Sequence, residues 1–492
     1  MKTYWSEKSV VGKLCILIGV LILVPLTVLL WYWEEREYLD SFLIPGGSSI
    51  ILGILLCVFS KKESELVTNY RFQIGYSSLI VVFAWIWGVF IGALPFILGG
   101  QLRVIQALFE AVSGWTTTGL SVMDVSNVPM IYLFHRSFMQ YCGGLGFILM
   151  MIIFISNKYA VDLYSAEGHP DKIKPNIKRT VHAIFILYNI CLLVGTIAYH
   201  IAGMTWFDSI CHCMCSLSTG GFSTKLLSIG EYSSLSIEII TIILMLVGTT
   251  NFAALLLLAK GELKTFFHIS EVRFMIILLL VFIPPTAISL TYGLNIEIIE
   301  GIRRATFDIV SALSTTGYST MSYTDWPDFS IGVLILMMII GGGIGSTAGG
   351  IKLSRVYLAC RYGVDQIKKK MSPNNQIVVS YYTKANGKTS IDQATIEDTT
   401  GYIIIYLIIY VIGSLALTIT ANCSLIEAMF DFASSLSTVG LSIGITNTLT
   451  NDATLIIEMV GMLLGRLEIF IVIVGGTFGY RLLRQIVAGR KI

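Results

Sequence analysis

The chain has 492 residues, 55% of them hydrophobic and 13% charged, with a formal net charge of +2. An average soluble domain is about 25% charged, so this composition excludes an ordinary water-soluble protein. So small a net charge gives no reason to expect a nucleic-acid partner.

Ten apolar runs read as membrane spans: 14–30, 42–59, 77–98, 132–155, 181–201, 237–258, 274–290, 331–340, 402–419 and 451–479, the last with embedded charges. A helical span takes about 20 residues. Glu34 and Glu35 follow the first run without a small-residue cleavage site, so no cleavable signal peptide is expected. Of the 33 Lys and Arg residues, 26 fall within 1–13, 61–71, 158–179, 260–273, 352–388 and 481–491. Arg36, Arg103, Arg136, Lys225, Arg303 and Arg304 lie in the other set of loops, and Arg466 stands inside the last run. Positive residues gather on the cytoplasmic side. Both termini are therefore expected in the cytoplasm, in keeping with an even number of spans. The run Cys211-His212-Cys213-Met214-Cys215 suggests a metal site. Residues two apart on a helix point about 200° away from one another, so the sulfurs cannot converge, and apolar packing is expected instead.

Internal repetition is the strongest signal. Four segments align without a gap: 113–121 (SGWTTTGLS), 215–223 (CSLSTGGFS), 311–319 (SALSTTGYS) and 434–442 (SSLSTVGLS). Their shared core is [ST]-T-x-G-x-S, and the central glycines Gly119, Gly221, Gly317 and Gly440 lie 102, 96 and 123 residues apart. Each copy follows a short semi-apolar stretch and sits between two spans. The unit is span, re-entrant helix, loop, span. The resulting division is two extra spans (1–64), repeat 1 (65–160), repeat 2 (161–262), repeat 3 (263–372), a cytoplasmic loop (373–398) and repeat 4 (399–492). The expected fold is an all-α membrane protein with four such repeats around one pore.

Non-helical backbone survives at membrane depth only where protein or water satisfies it. Four loops whose carbonyls face a water-filled axis meet that demand, and rings of carbonyls can replace an ion's hydration shell. Glycine supplies the backbone conformation that other residues avoid. The candidate filter residues are Thr117, Thr118 and Gly119; Thr219, Gly220 and Gly221; Thr315, Thr316 and Gly317; and Thr438, Val439 and Gly440. Each re-entrant helix is expected to aim its negative dipole end at the cavity. Nine residues before the glycines stand Glu110, His212, Asp308 and Asp431, with Asp208 one turn before His212. The carboxylates lie towards the starts of the short helices and are expected as capping or packing partners rather than ion ligands.

The four loops resemble those of the Trk/Ktr/HKT superfamily of potassium transporters, whose single chain mimics a tetrameric channel. The resemblance runs from about residue 65 to the carboxyl end, and the two extra spans place it nearest the bacterial TrkH branch. It is reinforced by 135–144 (HRSFMQYCGG), 163–168 (LYSAEG) and 465–468 (GRLE). It implies a potassium uptake pathway in the cell inner membrane, amid lipid, with potassium as the transported ion bound by the filter residues. It also implies a homodimer and a separate TrkA-like cytoplasmic subunit that binds nucleotides. A sodium-selective relative often carries Ser at a filter glycine, whereas all four positions here are glycine.

The segment 341–352 (GGGIGSTAGGIK) interrupts the eighth run with six glycines in twelve residues. At about 1 kcal/mol each relative to Ala, these cannot hold a stable helix, so a flexible break is expected. A Walker phosphate loop does not fit, because Ile351 separates glycine from lysine and Leu353 stands where Ser or Thr is needed. A GxGxxA match at 343–348 lacks a βαβ unit around it. The resemblance implies a gate that obstructs the pore, made of Gly341, Gly342, Gly343, Gly345, Ser346, Thr347, Gly349, Gly350 and Lys352, with Arg466 as its electrostatic companion. A mid-membrane arginine suggests function; an ion pair with Glu458 or Glu468 is the alternative. A two-halved secondary transporter would not repeat fourfold. The chain has no H-E-x-x-H motif, and an enzyme is not expected.

Overall fold

In lipid a helix satisfies every backbone polar group within its own segment, and the long apolar stretches accordingly form helices. The computed structural model describes residues 9–59, 70–146, 150, 177–371 and 380–487. Helix α1 (Val10–Leu23) runs on through a 3-10 turn (Val24–Leu30), and α2 (Leu39–Phe59) returns beside it. The two touch through glycines. A Cβ on Gly53 would stand 2.5 Å from the Gly12 carbonyl, and one on Gly19 would stand 2.6 Å from that of Gly46. Small residues allow this approach where no hydrophobic force drives helices together. Ser49 donates to the Cys15 carbonyl (2.7 Å) and accepts from Trp87 Nε1 (3.0 Å) of α3 (Tyr70–Leu98), tying the pair to the rest.

From α3 onward one unit occurs four times. The first is α3, a short helix α4 (Val104–Trp115) and an inner helix α5 (Met130–Leu145). The second is α6 (Ile177–Ile201), α7 (Trp206–Leu217), α8 (Leu235–Thr249) and α9 (Phe252–Ala259), followed by a short α10 (Leu263–His268). The third is α11 (Ser270–Leu294), α12 (Ile298–Ser314), α13 (Asp328–Ile340) and α14 (Leu353–Met371). A hairpin of β1 (Tyr381–Lys384) and β2 (Gly387–Ser390) precedes the fourth unit. That unit is α15 (Gln393–Ala421), α16 (Leu425–Leu436), α17 (Asp452–Arg466) and α18 (Ile469–Val487). The hairpin departs from the predicted plain loop. Its antiparallel register pairs Tyr381 with Ser390 and Lys384 with Gly387, and Gly387 (φ +115°) opens β2 directly after the two-residue turn at 385–386.

Among the described residues every inner helix ends early or is broken. Helix α5 stops at Gly146 (φ +81°), and α13 stops at Gly341 (φ +68°). Helices α8 and α9 meet at 116°. Leu467 and Glu468 (φ +59°) separate α17 from α18. The sequence predicts only the third break; the runs 237–258 and 451–479 are expected whole and are not. Local side chains satisfy the backbone freed at the second break. Asn251 Oδ1 accepts from Ala253 N (2.7 Å), and Thr250 donates to the Leu246 carbonyl (2.6 Å).

Candidate functional site

Helices α4, α7, α12 and α16 each deliver the chain into a loop with one shared backbone. The threonine two residues before the central glycine is left-handed in all four loops: Thr117 (φ +58°), Thr219 (+52°), Thr315 (+56°) and Thr438 (+52°). The glycines follow at Gly119 (+93°), Gly221 (+76°), Gly317 (+83°) and Gly440 (+100°). A β-branched residue in this region is an outlier costing about 1–3 kcal/mol, held only where the surroundings over-determine it. The same hydrogen bond holds each loop. The residue between threonine and glycine donates its N–H to the carbonyl five residues back: Thr118 to Ser113 (2.9 Å), Gly220 to Cys215 (2.8 Å), Thr316 to Ser311 (3.0 Å) and Val439 to Ser434 (2.8 Å).

The four loops close on one another. A Cβ on Gly119 would stand 2.2 Å from the carbonyl oxygen of Gly220, and one on Gly221 would stand 2.1 Å from that of Thr316. On Gly317 it would meet the Val439 carbonyl at 2.0 Å, and on Gly440 the Thr118 carbonyl at 2.1 Å. Loop 1 thus abuts loop 2, loop 2 loop 3, loop 3 loop 4, and loop 4 loop 1. Glycine is required at these positions twice over, by φ and by space. The carboxyl ends of four helices, each the negative pole of its dipole, lead into this ring.

The residues nine before the glycines are not helix caps. They sit within the short helices and hold the chain as it leaves each loop. Glu110 accepts from Ser121 Oγ (3.0 Å) and Val122 N (3.2 Å), and it pairs with Arg136 Nε at 2.6 Å, both side chains buried. His212 Nε2 meets Ser223 Oγ at 3.0 Å. Asp308 accepts from Thr320 (2.9 Å) and Tyr323 (2.7 Å), and Asp431 from Ser442 Oγ (2.7 Å) and Ile443 N (2.9 Å). Packing partners is the half of the expectation the geometry keeps; the helix-start position is corrected.

The segment 341–352 breaks the third inner helix as predicted, but it is packed rather than loose. Gly343 N donates to the Thr249 carbonyl (3.0 Å), and Gly345 O accepts from Phe252 N (3.1 Å). Thr347 Oγ1 contacts Thr219 Oγ1 (3.0 Å) and the Gly248 carbonyl (2.9 Å). Gly349 N donates to Thr315 Oγ1 (2.8 Å), and a Cβ on Gly349 would stand 2.1 Å from the Ser437 carbonyl. The glycines therefore let the segment press on the beginnings of loops 2, 3 and 4. Lys352 Nζ donates back to the Ala348 carbonyl. Arg466 donates to the carbonyls of Thr347 (2.7 Å), Gly143 (2.7 Å) and Gly144 (3.2 Å), bridging this segment to α5. The alternative partners are engaged elsewhere, Glu468 with Arg355 (2.7 Å) and Glu458 with Thr446 (2.9 Å).

The family described as TrkH, cation transport protein, matches residues 46–477. This chain belongs to that family. It is 29% identical over 482 residues to the Trk system potassium uptake protein TrkH of Escherichia coli (strain K12), covering 94% of this chain and 96% of that protein. It is 28% identical over 480 residues to the protein of the same name from Halomonas elongata, with the same coverage. The crystal structure of the potassium transporter TrkH from Vibrio parahaemolyticus matches with a TM-score of 0.82 at 26% identity, over 96% of this chain and 98% of that chain. With its apolar helices, this TrkH-family chain is a multi-pass membrane protein.

The TrkH-family motifs acquire distinct positions in the structure. In 135–144, His135 Nε2 reaches the Gly92 carbonyl (3.0 Å), Arg136 joins Glu110, and Gln140 contacts loop 2. A Cβ on Gly143 would stand 2.0 Å from the Trp115 carbonyl. The motif at 163–168 lies outside the described residues. Cys211, Cys213 and Cys215 are each buried in α7. The left-handed threonines give no sequence signal, because threonine ordinarily avoids that conformation; only their fourfold recurrence singles them out.

Proposed function

We propose that this chain takes up potassium through a selective, gated pathway along the axis of the four loops. The observation that carries this reading is the closed ring, in which each loop's glycine lies against the next loop's carbonyl. Carbonyls held in such a ring can replace the water around a large, weakly hydrated cation with little loss. The names of the TrkH relatives in Escherichia coli and Halomonas elongata, potassium uptake proteins, favour the same ion. In this reading Thr117, Thr118 and Gly119 and their counterparts form the filter. Segment 341–352, with Arg466 and Lys352, is the gate. The protein sits in the inner membrane with both termini cytoplasmic, as a homodimer that docks a nucleotide-binding subunit. Purified protein in lipid vesicles should carry rubidium in competition with potassium and much less with sodium. Equal sodium and rubidium flux, or none, would overturn the proposal.

A further inference from the structure

The fourfold pattern fails at one position. The residue before the loop glycine is Thr118, Thr316 or Val439 in three loops, but Gly220 in loop 2. Gly220 is not among the residues with positive φ, so its backbone does not require glycine. Space does. A Cβ there would stand 2.4 Å from Oε1 of Gln140, a fully buried residue of α5 in the first repeat. Gln140 donates through Nε2 to the Gly220 carbonyl, and its Oε1 accepts from Phe222 N at 3.0 Å. It therefore straddles Gly221. One turn earlier, Arg136 lies over the Phe222 ring at 4.1 Å.

Loops 1 and 3 are braced from within. Thr118 Oγ1 meets Thr116 Oγ1, and Thr316 Oγ1 meets Ser314 Oγ, both at 2.7 Å. Loop 2 has the matching hydroxyl, Ser218, but no side chain at 220 to meet it. Repeat 1 supplies the missing side chain. The carbonyl that Gln140 holds is the one facing Gly119, at the joint between loops 1 and 2. A carbonyl has two lone pairs and an amide has both donor and acceptor, so one side chain can fix this oxygen and the N–H beyond it.

We propose that Gln140 is a specificity-determining positioning residue: it substitutes for the absent side chain of loop 2 and sets one of the four ring carbonyls. This rests on the ring being the filter. The test measures the potassium-to-sodium permeability ratio of the full chain in vesicles. Gln140→Leu removes both bonds and should lower the ratio by about three- to tenfold, the range expected for the one it makes to the ring carbonyl of Gly220. Gly220→Thr alone should lower it too, because the new side chain collides with Gln140. Gln140→Ala combined with Gly220→Thr should recover most of the ratio, since the introduced hydroxyl meets Ser218 as in loops 1 and 3. If Gln140→Leu does not give folded protein, Gln140→Met, of similar length and without hydrogen-bonding groups, takes its place. An unchanged ratio in the single variants, or a double variant no better than they are, overturns the proposal. Gly119→Ser separates the two levels. If it lowers the ratio while Gln140→Leu does not, the filter stands and the role of Gln140 falls. If neither moves it, the filter reading itself falls.

Discussion

Two adjoining layers of this molecule obey opposite rules. In the ring, four sequences that share only a few residues adopt one backbone, down to a left-handed threonine and glycine in each. Where the inner helices end or break, the same repeated unit takes four different forms: a glycine stop, a 116° bend, a twelve-residue non-helical segment and a two-residue interruption. In the proposed reading, a layer that surrounds one ion from every side must keep one backbone in all four loops, even where a side chain differs. On the proposed gate reading, one obstructing element suffices, and the other breaks are free to support it, as Arg466 and Thr249 do by hydrogen bonds to segment 341–352. Selectivity and gating should therefore be separable by mutation.

The largest separation should come from removing residues 343–349. Ion flux in vesicles should rise several-fold while the potassium-to-sodium ratio stays near that of the parent. Unchanged flux in a folded deletion variant would remove the gate from this segment. A smaller effect is expected from Arg466→Gln. A hydrogen bond to a charged group contributes about 1.5–3 kcal/mol, and the guanidinium makes three such bonds across the layer. Flux should rise, though less than in the deletion. Arg466→Lys should fall between parent and Gln, because an ammonium lacks the planar fork. Parent flux in Arg466→Gln would contradict this role. Smaller again is Thr219→Val, which removes two neutral hydroxyl contacts, to Thr347 and to the Ser218 carbonyl, at about 1 kcal/mol each. Since Thr219 belongs to the ring and Thr347 to the gating segment, this variant probes the seam, and a modest rise in flux with a smaller fall in ratio than in the ring-glycine variants is expected. The control is the exposed pair Arg103–Asp452 (3.8 Å, side chains 67% and 48% exposed). Its removal should alter thermal stability by no more than about 1 kcal/mol, whereas a large loss would show that the outer rim matters more than burial indicates.

The ring was legible in the sequence because its demands fall on glycine and small hydroxyl residues at fixed spacing. The third break was legible for the same reason: six glycines in twelve residues cannot be helix. The second and fourth breaks were not. Thr250-Asn251 and Leu467-Glu468 contain neither glycine nor proline, and at the second break the freed backbone groups are taken up by the Thr250 and Asn251 side chains, residue types that an apolar run also carries inside an unbroken helix. The glycines at 341–352 suggested looseness, because composition reports what a segment cannot be and not what it packs against. The carboxylates at Glu110, Asp308 and Asp431 were visible as a register, but their partners lie from eleven to twenty-six residues downstream, beyond the loop and with no local periodicity. Arg466 stood out by its charge, yet its acceptors are main-chain carbonyls that leave no mark in sequence.

The central claim is that the four glycines together set ion choice. It is tested most directly by the potassium-to-sodium permeability ratio of Gly119→Ser, Gly221→Ser, Gly317→Ser and Gly440→Ser, measured side by side in vesicles. Each substitution places a Cβ at positive φ and about 2 Å from the next loop's carbonyl, a strain of about 1–3 kcal/mol before any collision is counted. Since about 1.4 kcal/mol is tenfold in an equilibrium ratio, the ratio should fall about tenfold or more in each. The sequence of loop 4 departs most from its siblings, but its backbone does not, so Gly440→Ser should behave like the other three. Four folded variants that keep the parent ratio would contradict the account.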